Sequence, residues 1–277
     1  HLKTARNLEN KSDMLVKKLH GHSGCEVLLL RLNERLTVRK ISPSEQYDIR
    51  IDNQRDKQDC FSSSLVRCPK VYDSGIVDNR HFFDMEFING QTFSNFIEHG
   101  DQKSIFQIFE KLFDFVNKNN YIDETVECQI LNKIENMPLV NEYNLYKDYC
   151  LDFDWSKIKK SYCHGDLTFE NVIISNGEIY FIDFLDSFTN SKVIDYSKML
   201  QDIILGWSWR DKSSKPYIKL IRMHEHMVNK MKDIEYEASK RMLVLTMLRI
   251  LPYSADPKTI DLINHNLKFI KRELIDE

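Results

Sequence analysis

Nowhere along the 277 residues do the roughly 18 apolar side chains needed to cross a bilayer run together, which excludes a spanning helix. The start of the chain has no signal-peptide pattern, and its first residue is His1 rather than Met, which points to a processed chain or a fragment. The six cysteines are scattered, and no two of them stand at the two-residue spacing of a zinc knuckle or a redox motif. In a chain of this length they read as reduced thiols, which favours a cytoplasmic location. Neither sign of charge dominates: 39 Lys and Arg face 42 Asp and Glu for a net charge of −3, so no basic field points to nucleic acid. The small cluster Lys157, Lys159 and Lys160 reads as a solvated face. There is no internal repeat and no low-complexity segment. What is present, 42% hydrophobic and 11% aromatic residues, is ample for the core of two lobes or one large domain.

The first part of the chain reads as β-rich with one helix. Met14 to Leu19 and Cys25 to Leu32 are strand-like runs on either side of His20-Gly21-His22-Ser23-Gly24. Asn33-Glu34 makes a hairpin turn into a strand over Leu36 to Ile41. A helix is predicted from about Tyr47 to Phe61. Two more strands follow, Pro69 to Tyr72 and His81 to Ile88, with the turn between them placed at Asp73-Ser74-Gly75. After Asn89-Gly90 the period becomes helical, and Ile105, Ile108, Phe109, Leu112, Phe113 and Val116 mark one amphipathic face. A second helix covers about Thr125 to Ile134. The chain turns strand-like again at Ser161, forms a hairpin through Val172 to Ile174, Asn176-Gly177 and Ile179 to Phe184, and is mostly helical from Ile194 onward.

The chemistry concentrates in Cys163-His164-Gly165-Asp166-Leu167-Thr168-Phe169-Glu170-Asn171 and in Ile182-Asp183-Phe184, with Asp183 twelve positions past Asn171. Asp166 and Asn171 have the separation of a kinase catalytic loop. A loop of that length aims a carboxylate at an acceptor hydroxyl and an amide oxygen at a metal, and the following hairpin returns a second carboxylate to the same metal. Asn171 and Asp183 supply the small oxygen set that Mg²⁺ takes beside phosphate oxygens. Asp166 is left to orient and deprotonate the acceptor. Taken singly each of these residues is an ordinary turn or strand cap; their order and the flanking apolar strands set them apart.

On these residues the chain resembles the aminoglycoside phosphotransferase and choline kinase superfamily, whose signature is a His-Gly-Asp loop, a downstream Asn and an Ile-Asp-Phe metal strand. The resemblance implies an α+β, bilobal protein-kinase-like fold. Its antiparallel β-sheet N-lobe with one main helix would span residues 1–88 and its mostly α-helical C-lobe residues 89–277. It implies a Mg²⁺-dependent small-molecule kinase that moves the γ-phosphate of ATP or GTP to a hydroxyl of an aminoglycoside, a sugar or a choline-like metabolite. His164 would organise the loop, and Asp195, in Ile194-Asp195-Tyr196, would support it. Lys40 falls where the family places the lysine for the α- and β-phosphates, and its period-two register with Val38 and Leu36 points it inward. The backbone near Glu86 to Ile88 would receive the base.

The Gly21-His22-Ser23-Gly24 turn would let backbone N–H groups of Gly21, Ser23 and Gly24 approach phosphate, and it is also an ordinary hairpin turn. The family pairs its lysine with a Glu on the next helix. No Glu stands in Asn53 to Phe61, so Asp56, Gln58 or Asp59 is expected to partner Lys40. That departure keeps a second reading open, a catalytically weak or inactive nucleotide-binding module. A protein kinase is disfavoured because only eleven residues separate Asp183 from Asp195, with no Ala-Pro-Glu. His224 and His226 lie about 200° apart on a helix and cannot share a metal. Trp207 and Trp209 read as helix-end packing, and Glu170, Asp186 and Asp202 as surface acids rather than a pocket for a cation.

Overall fold

The computed structural model describes residues 3–4, 14–19, 24–185, 187–254 and 256–275. Strands β1 (Lys3–Thr4), β2 (Met14–Leu19), β3 (Glu26–Leu32) and β4 (Arg35–Ile41) precede helix α1 (Glu45–Asp59). Then come β5 (Val71–Val77), β6 (Arg80–Glu86) and the short β7 (Gln91–Thr92). Helices α2 (Phe93–His99) and α3 (Gln102–Lys118), strand β8 (Tyr121–Thr125), helices α4 (Glu127–Glu135) and α5 (Asn144–Leu151) and strand β9 (Lys159–Ser161) follow. The hairpin β10 (Val172–Ser175) and β11 (Glu178–Phe181) leads into α6 (Lys192–Leu205), α7 (Tyr217–Lys230), α8 (Asp233–Ile250) and α9 (Pro257–Ile270). The chain forms two compact units that do not divide at a single point. Residues 1–92 join with 171–186, and residues 93–170 join with 187–277.

In the first unit, one sheet runs in the order β1-β5-β6-β4-β3-β2, antiparallel throughout except that β1 lies parallel to β5. Two-residue turns set its register. Asn33 and Glu34 have φ of 47° and 66°, the left-handed pair that matches strand twist in a tight hairpin. Asp78 and Asn79 do the same between β5 and β6, with φ of 48° and 59°. The expected turn at Asp73-Ser74-Gly75 is therefore corrected: these residues lie inside β5, where Gly75 pairs with Phe82. Helix α1 covers one face of the sheet with Ile51, Gln54 and Gln58, buried at three-four spacing, and Ile51 packs into the core of Leu29, Val38, Phe83 and Met85. The hairpin β10–β11 belongs to this unit because β10 pairs with β7 and Ser175 Oγ donates to the Asn89 carbonyl at 2.7 Å. Gly90 permits that approach, since a Cβ there would stand 2.5 Å from the Ile174 carbonyl oxygen.

The second unit is built on helices. The amphipathic face foreseen around Ile105 to Val116 forms α3, whose first turn is capped by Asp101 accepting from the Ser104 N–H at 3.0 Å. Helices α6 and α8 are buried nearly all round and pack on each other at the centre. Gly206, with φ of 63°, closes α6 in the left-handed conformation that helix ends favour. Among the described residues, no helix is long and apolar enough to cross a membrane.

Candidate active site

The segment His164 to Phe169 is held from beneath by one helix. Asp195 in the first turn of α6 is fully buried, and its carboxylate accepts from the N–H of His164 at 2.7 Å and of Gly165 at 2.9 Å. Gly165 has φ of 96°, a conformation that favours glycine. The ring of His164 is buried, and its Nδ1 accepts from the Asp166 N–H at 3.2 Å, so the side chain closes the turn on itself. Leu167 and Phe169 point into the core, Phe169 against Phe93 with ring centroids 5.0 Å apart. Asp166, between these inward anchors, stays about one-third exposed.

Two further α6 residues complete the support, and sequence reasoning missed both in this role. Lys198 Nζ lies 3.0 Å from Asp166 Oδ1. Asp202 is fully buried and accepts from the Phe169 N–H at 2.5 Å and the Ser208 N–H at 2.7 Å. Asp195, Lys198 and Asp202 stand at i, i+3 and i+7, one stripe of a helix. That spacing was the available signal, and Asp202, read as a surface acid, is corrected to a buried one. Glu170 is engaged by Arg210 at 3.0 Å.

Burial pushes Asp202 up to about 6, against the two N–H bonds that pull it down. The folded chain therefore binds this proton more tightly than the unfolded chain. Its contribution to stability falls as pH rises from about 4 to about 6 and is level above that. Relative to Asp202→Asn, which does not titrate, the unfolding free energy of the wild type in urea is expected to fall by about 2 kcal/mol between about pH 4 and pH 7. A difference that is flat across that range refutes the assignment.

In the first unit, Lys40 on β4 is buried beneath α1, and its ammonium donates to Asp183 Oδ1 at 2.8 Å and to Gln54 Oε1 at 2.9 Å. The expected partners Asp56, Gln58 and Asp59 are corrected to Gln54. Asp56 and Asp59 lie on the exposed side of α1, and Gln58, one turn past Gln54, donates to the Pro69 carbonyl at 2.8 Å. Burial pulls the Lys40 ammonium down, and the charge and hydrogen bond of Asp183 more than offset it, so its pKa stands above the ordinary lysine value.

Asp183 follows β11 with φ of 59°, a left-handed turn that aspartate tolerates. Phe184 anchors it, buried against Phe61 at 5.2 Å between ring centroids. The Ile182 N–H donates to the Asn171 carbonyl at 3.0 Å, so Asn171 and Asp183 flank the base of the same hairpin. Among the described residues no three His, Cys, Asp or Glu side chains cluster as metal ligands. One carboxylate and one amide oxygen are the donor set that suits Mg²⁺ when phosphate oxygens fill its remaining positions.

The remaining expected residues are placed in part. Gly24 has φ of 75° with open space where a Cβ would stand, whereas Gly21 and Ser23 lie outside the described residues. The Glu86 N–H is spent on the Lys70 carbonyl at 2.9 Å, so any base contact from Glu86 comes through its carbonyl, beside the loop residue Ile88. His224 Nε2 meets the Tyr236 hydroxyl at 2.8 Å, and His226 packs on Phe109 and Phe113, which gives both packing roles. Trp209 is buried, and Trp207 lies under Arg210.

No protein-family model matches the sequence, and no curated protein sequence matches it either. Solved structures do. The chain is similar to a thermostable mutant of the aminoglycoside phosphotransferase APH(4)-Ia, in ternary complex with ADP and hygromycin B, with a TM-score of 0.65 at 12% identity over 92% of each chain. It is similar to aminoglycoside-3'-phosphotransferase of type VIII, with a TM-score of 0.56 at 13% identity, over 85% of this chain and 94% of that one. It is also similar to the Plasmodium vivax ethanolamine kinase, with a TM-score of 0.55 at 16% identity, over 95% of this chain and 83% of that one. At such identities the likeness is one of fold. The chain has the protein-kinase-like fold of these solved structures, with an antiparallel sheet in one unit and mostly helices in the other.

Proposed function

We propose that this chain is a small-molecule kinase that transfers the γ-phosphoryl group of ATP, with Mg²⁺, to a hydroxyl of a small acceptor. The observation that carries the reading is the contact of Lys40 with Asp183, a buried cation brought at 2.8 Å to the carboxylate that follows the hairpin. The similar solved structures include phosphotransferases bound to ADP and hygromycin B or to ATP and streptomycin. GTP is the alternative donor.

In this reading Asp166 accepts a hydrogen bond from the acceptor hydroxyl and orients its oxygen. The oxygen forms a bond to the γ-phosphorus as the bond from that phosphorus to the β,γ-bridging oxygen breaks. The hydroxyl proton passes to Asp166 and then to solvent, and the nucleoside diphosphate leaves. Lys40 offsets charge on the α- and β-phosphates, and the backbone at Gly24 approaches them. The base is received by the backbone at Glu86 and Ile88. Asn171 and Asp183 would hold Mg²⁺, which when bound neutralises charge on the phosphate oxygens. His164 and Asp195 keep the loop in shape.

Nucleoside diphosphate release from ATP and Mg²⁺ across a broad acceptor panel tests the proposal. Asp183→Ala is expected to abolish Mg²⁺-dependent nucleotide binding measured by calorimetry, and unchanged Mg²⁺ dependence counts against the assignment. Gln54, a neutral partner of Lys40 where the resemblance implies a Glu, favours a second reading as a weak or inactive nucleotide-binding module. Nucleotide binding with no phosphoryl transfer to any acceptor would select that second reading.

A further inference from the structure

The acidic groups along the candidate catalytic loop are already matched within the second unit. Glu170 is held by Arg210, and Asp202 is buried and spent on two backbone N–H groups. Asp166, the carboxylate assigned to the acceptor, has Lys198 Nζ at 3.0 Å. Lys198 is not a flexible surface lysine. Its side chain is 14% exposed, and it rises from α6 three residues after Asp195, whose carboxylate fixes the two loop N–H groups just before Asp166. The other charged residues of that helix, Lys192, Asp195 and Asp202, are buried. A pair so placed is less screened than a surface ion pair and has a fixed geometry.

An acceptor hydroxyl bonded to Asp166 must come within about 3 Å of its carboxylate. That brings it close to the Lys198 ammonium as well. Of the three N–H donors on an ammonium, one suffices for Asp166 and two remain for a second oxygen of the acceptor. A cationic group on the acceptor would instead meet a like charge, with the attraction of Asp166 already cancelled.

We propose that Lys198 is a positioning residue of the transfer reaction and that its pair with Asp166 sets the acceptor class. The acceptor is an uncharged or anionic compound whose reacting hydroxyl is flanked by another oxygen, as in a polyol, a sugar or a hydroxy acid, and not a cation. This inference rests on the phosphotransferase reading, and the test separates the two.

The experiment measures ADP release from ATP and Mg²⁺ with three acceptor sets. These are monosaccharides and polyols, sugar phosphates and hydroxy acids, and aminoglycosides with choline. Wild type, Lys198→Arg and Lys198→Gln are compared, with folding checked by circular dichroism. Wild-type turnover is expected with the first two sets and not the third. Lys198→Gln is expected to lower kcat on those acceptors by about 10- to 100-fold through misplacement of Asp166, with KM for ATP nearly unchanged. Lys198→Arg is expected to restore most of the loss, and it decides the matter if Lys198→Gln fails to fold. Wild-type preference for aminoglycosides or choline overturns the inference while leaving the kinase reading intact, and so does an unchanged kcat in folded Lys198→Gln. ADP release with none of the sets overturns the kinase reading and this inference with it.

Discussion

Asp166→Asn is expected to lower turnover by about 10²- to 10⁴-fold, the span attributed to a positioned acid–base group. Nucleotide affinity should stay close to that of the wild type. The substitution keeps shape and volume, and the loop would retain its anchors, because the backbone of Asp166 and the side chains of Leu167 and Phe169 are untouched. What changes is the ability to take the hydroxyl proton, together with the charge that matches Lys198 at 3.0 Å. Single-turnover kinetics with the preferred acceptor, beside calorimetry of nucleotide binding, separates the two effects. Unchanged turnover would remove Asp166 from the reaction.

The second large effect is expected on stability. Asp195 is fully buried and accepts from two backbone N–H groups, those of His164 and Gly165. In Asp195→Ala both buried donors lose their acceptor. At about 1–3 kcal/mol for each orphaned group, the loss is roughly 2–6 kcal/mol. That is a large share of what an ordinary domain has in hand. Urea denaturation followed by circular dichroism measures it, and Asp195→Asn, which retains one acceptor oxygen, should lose less. A loss under about 0.5 kcal/mol, the level of a neutral surface change, would show that the loop does not depend on Asp195.

The parts of the molecule legible in the sequence are those whose signals are local. The hairpin turns at Asn33-Glu34 and Asn176-Gly177 announce themselves in two residues, and both take left-handed backbone. The loop from His164 to Asn171 is contiguous, so its spacing could be read directly. Asp73-Ser74-Gly75 misled because it has turn composition while its glycine is paired with Phe82 inside the sheet. The turn that exists, Asp78-Asn79, contains no glycine to mark it. Gln54 escaped notice because the expected partners of Lys40, Asp56, Gln58 and Asp59, all lie further along α1. The burial rhythm of Ile51, Gln54 and Gln58 would have put it on the sheet side. Lys198 and Asp202 become meaningful only when α6 is laid against the loop about thirty residues earlier in the chain, a long-range contact that periodicity alone does not reveal.

Among the described residues Lys40 has one anionic hydrogen-bond partner, Asp183, and α1 offers it the neutral amide of Gln54. A second carboxylate would leave the ammonium compensated even with Asp183 turned elsewhere. With a single anion it is not, and an ammonium stranded between the sheet and α1 is costly. Whatever draws Asp183 away must therefore bring a replacement anion for Lys40 in the same event. A cation arriving alone strands the lysine, and an anion arriving alone must compete with the aspartate. This corner of the chain selects by stoichiometry, admitting a matched cation and polyanion together more readily than either one by itself.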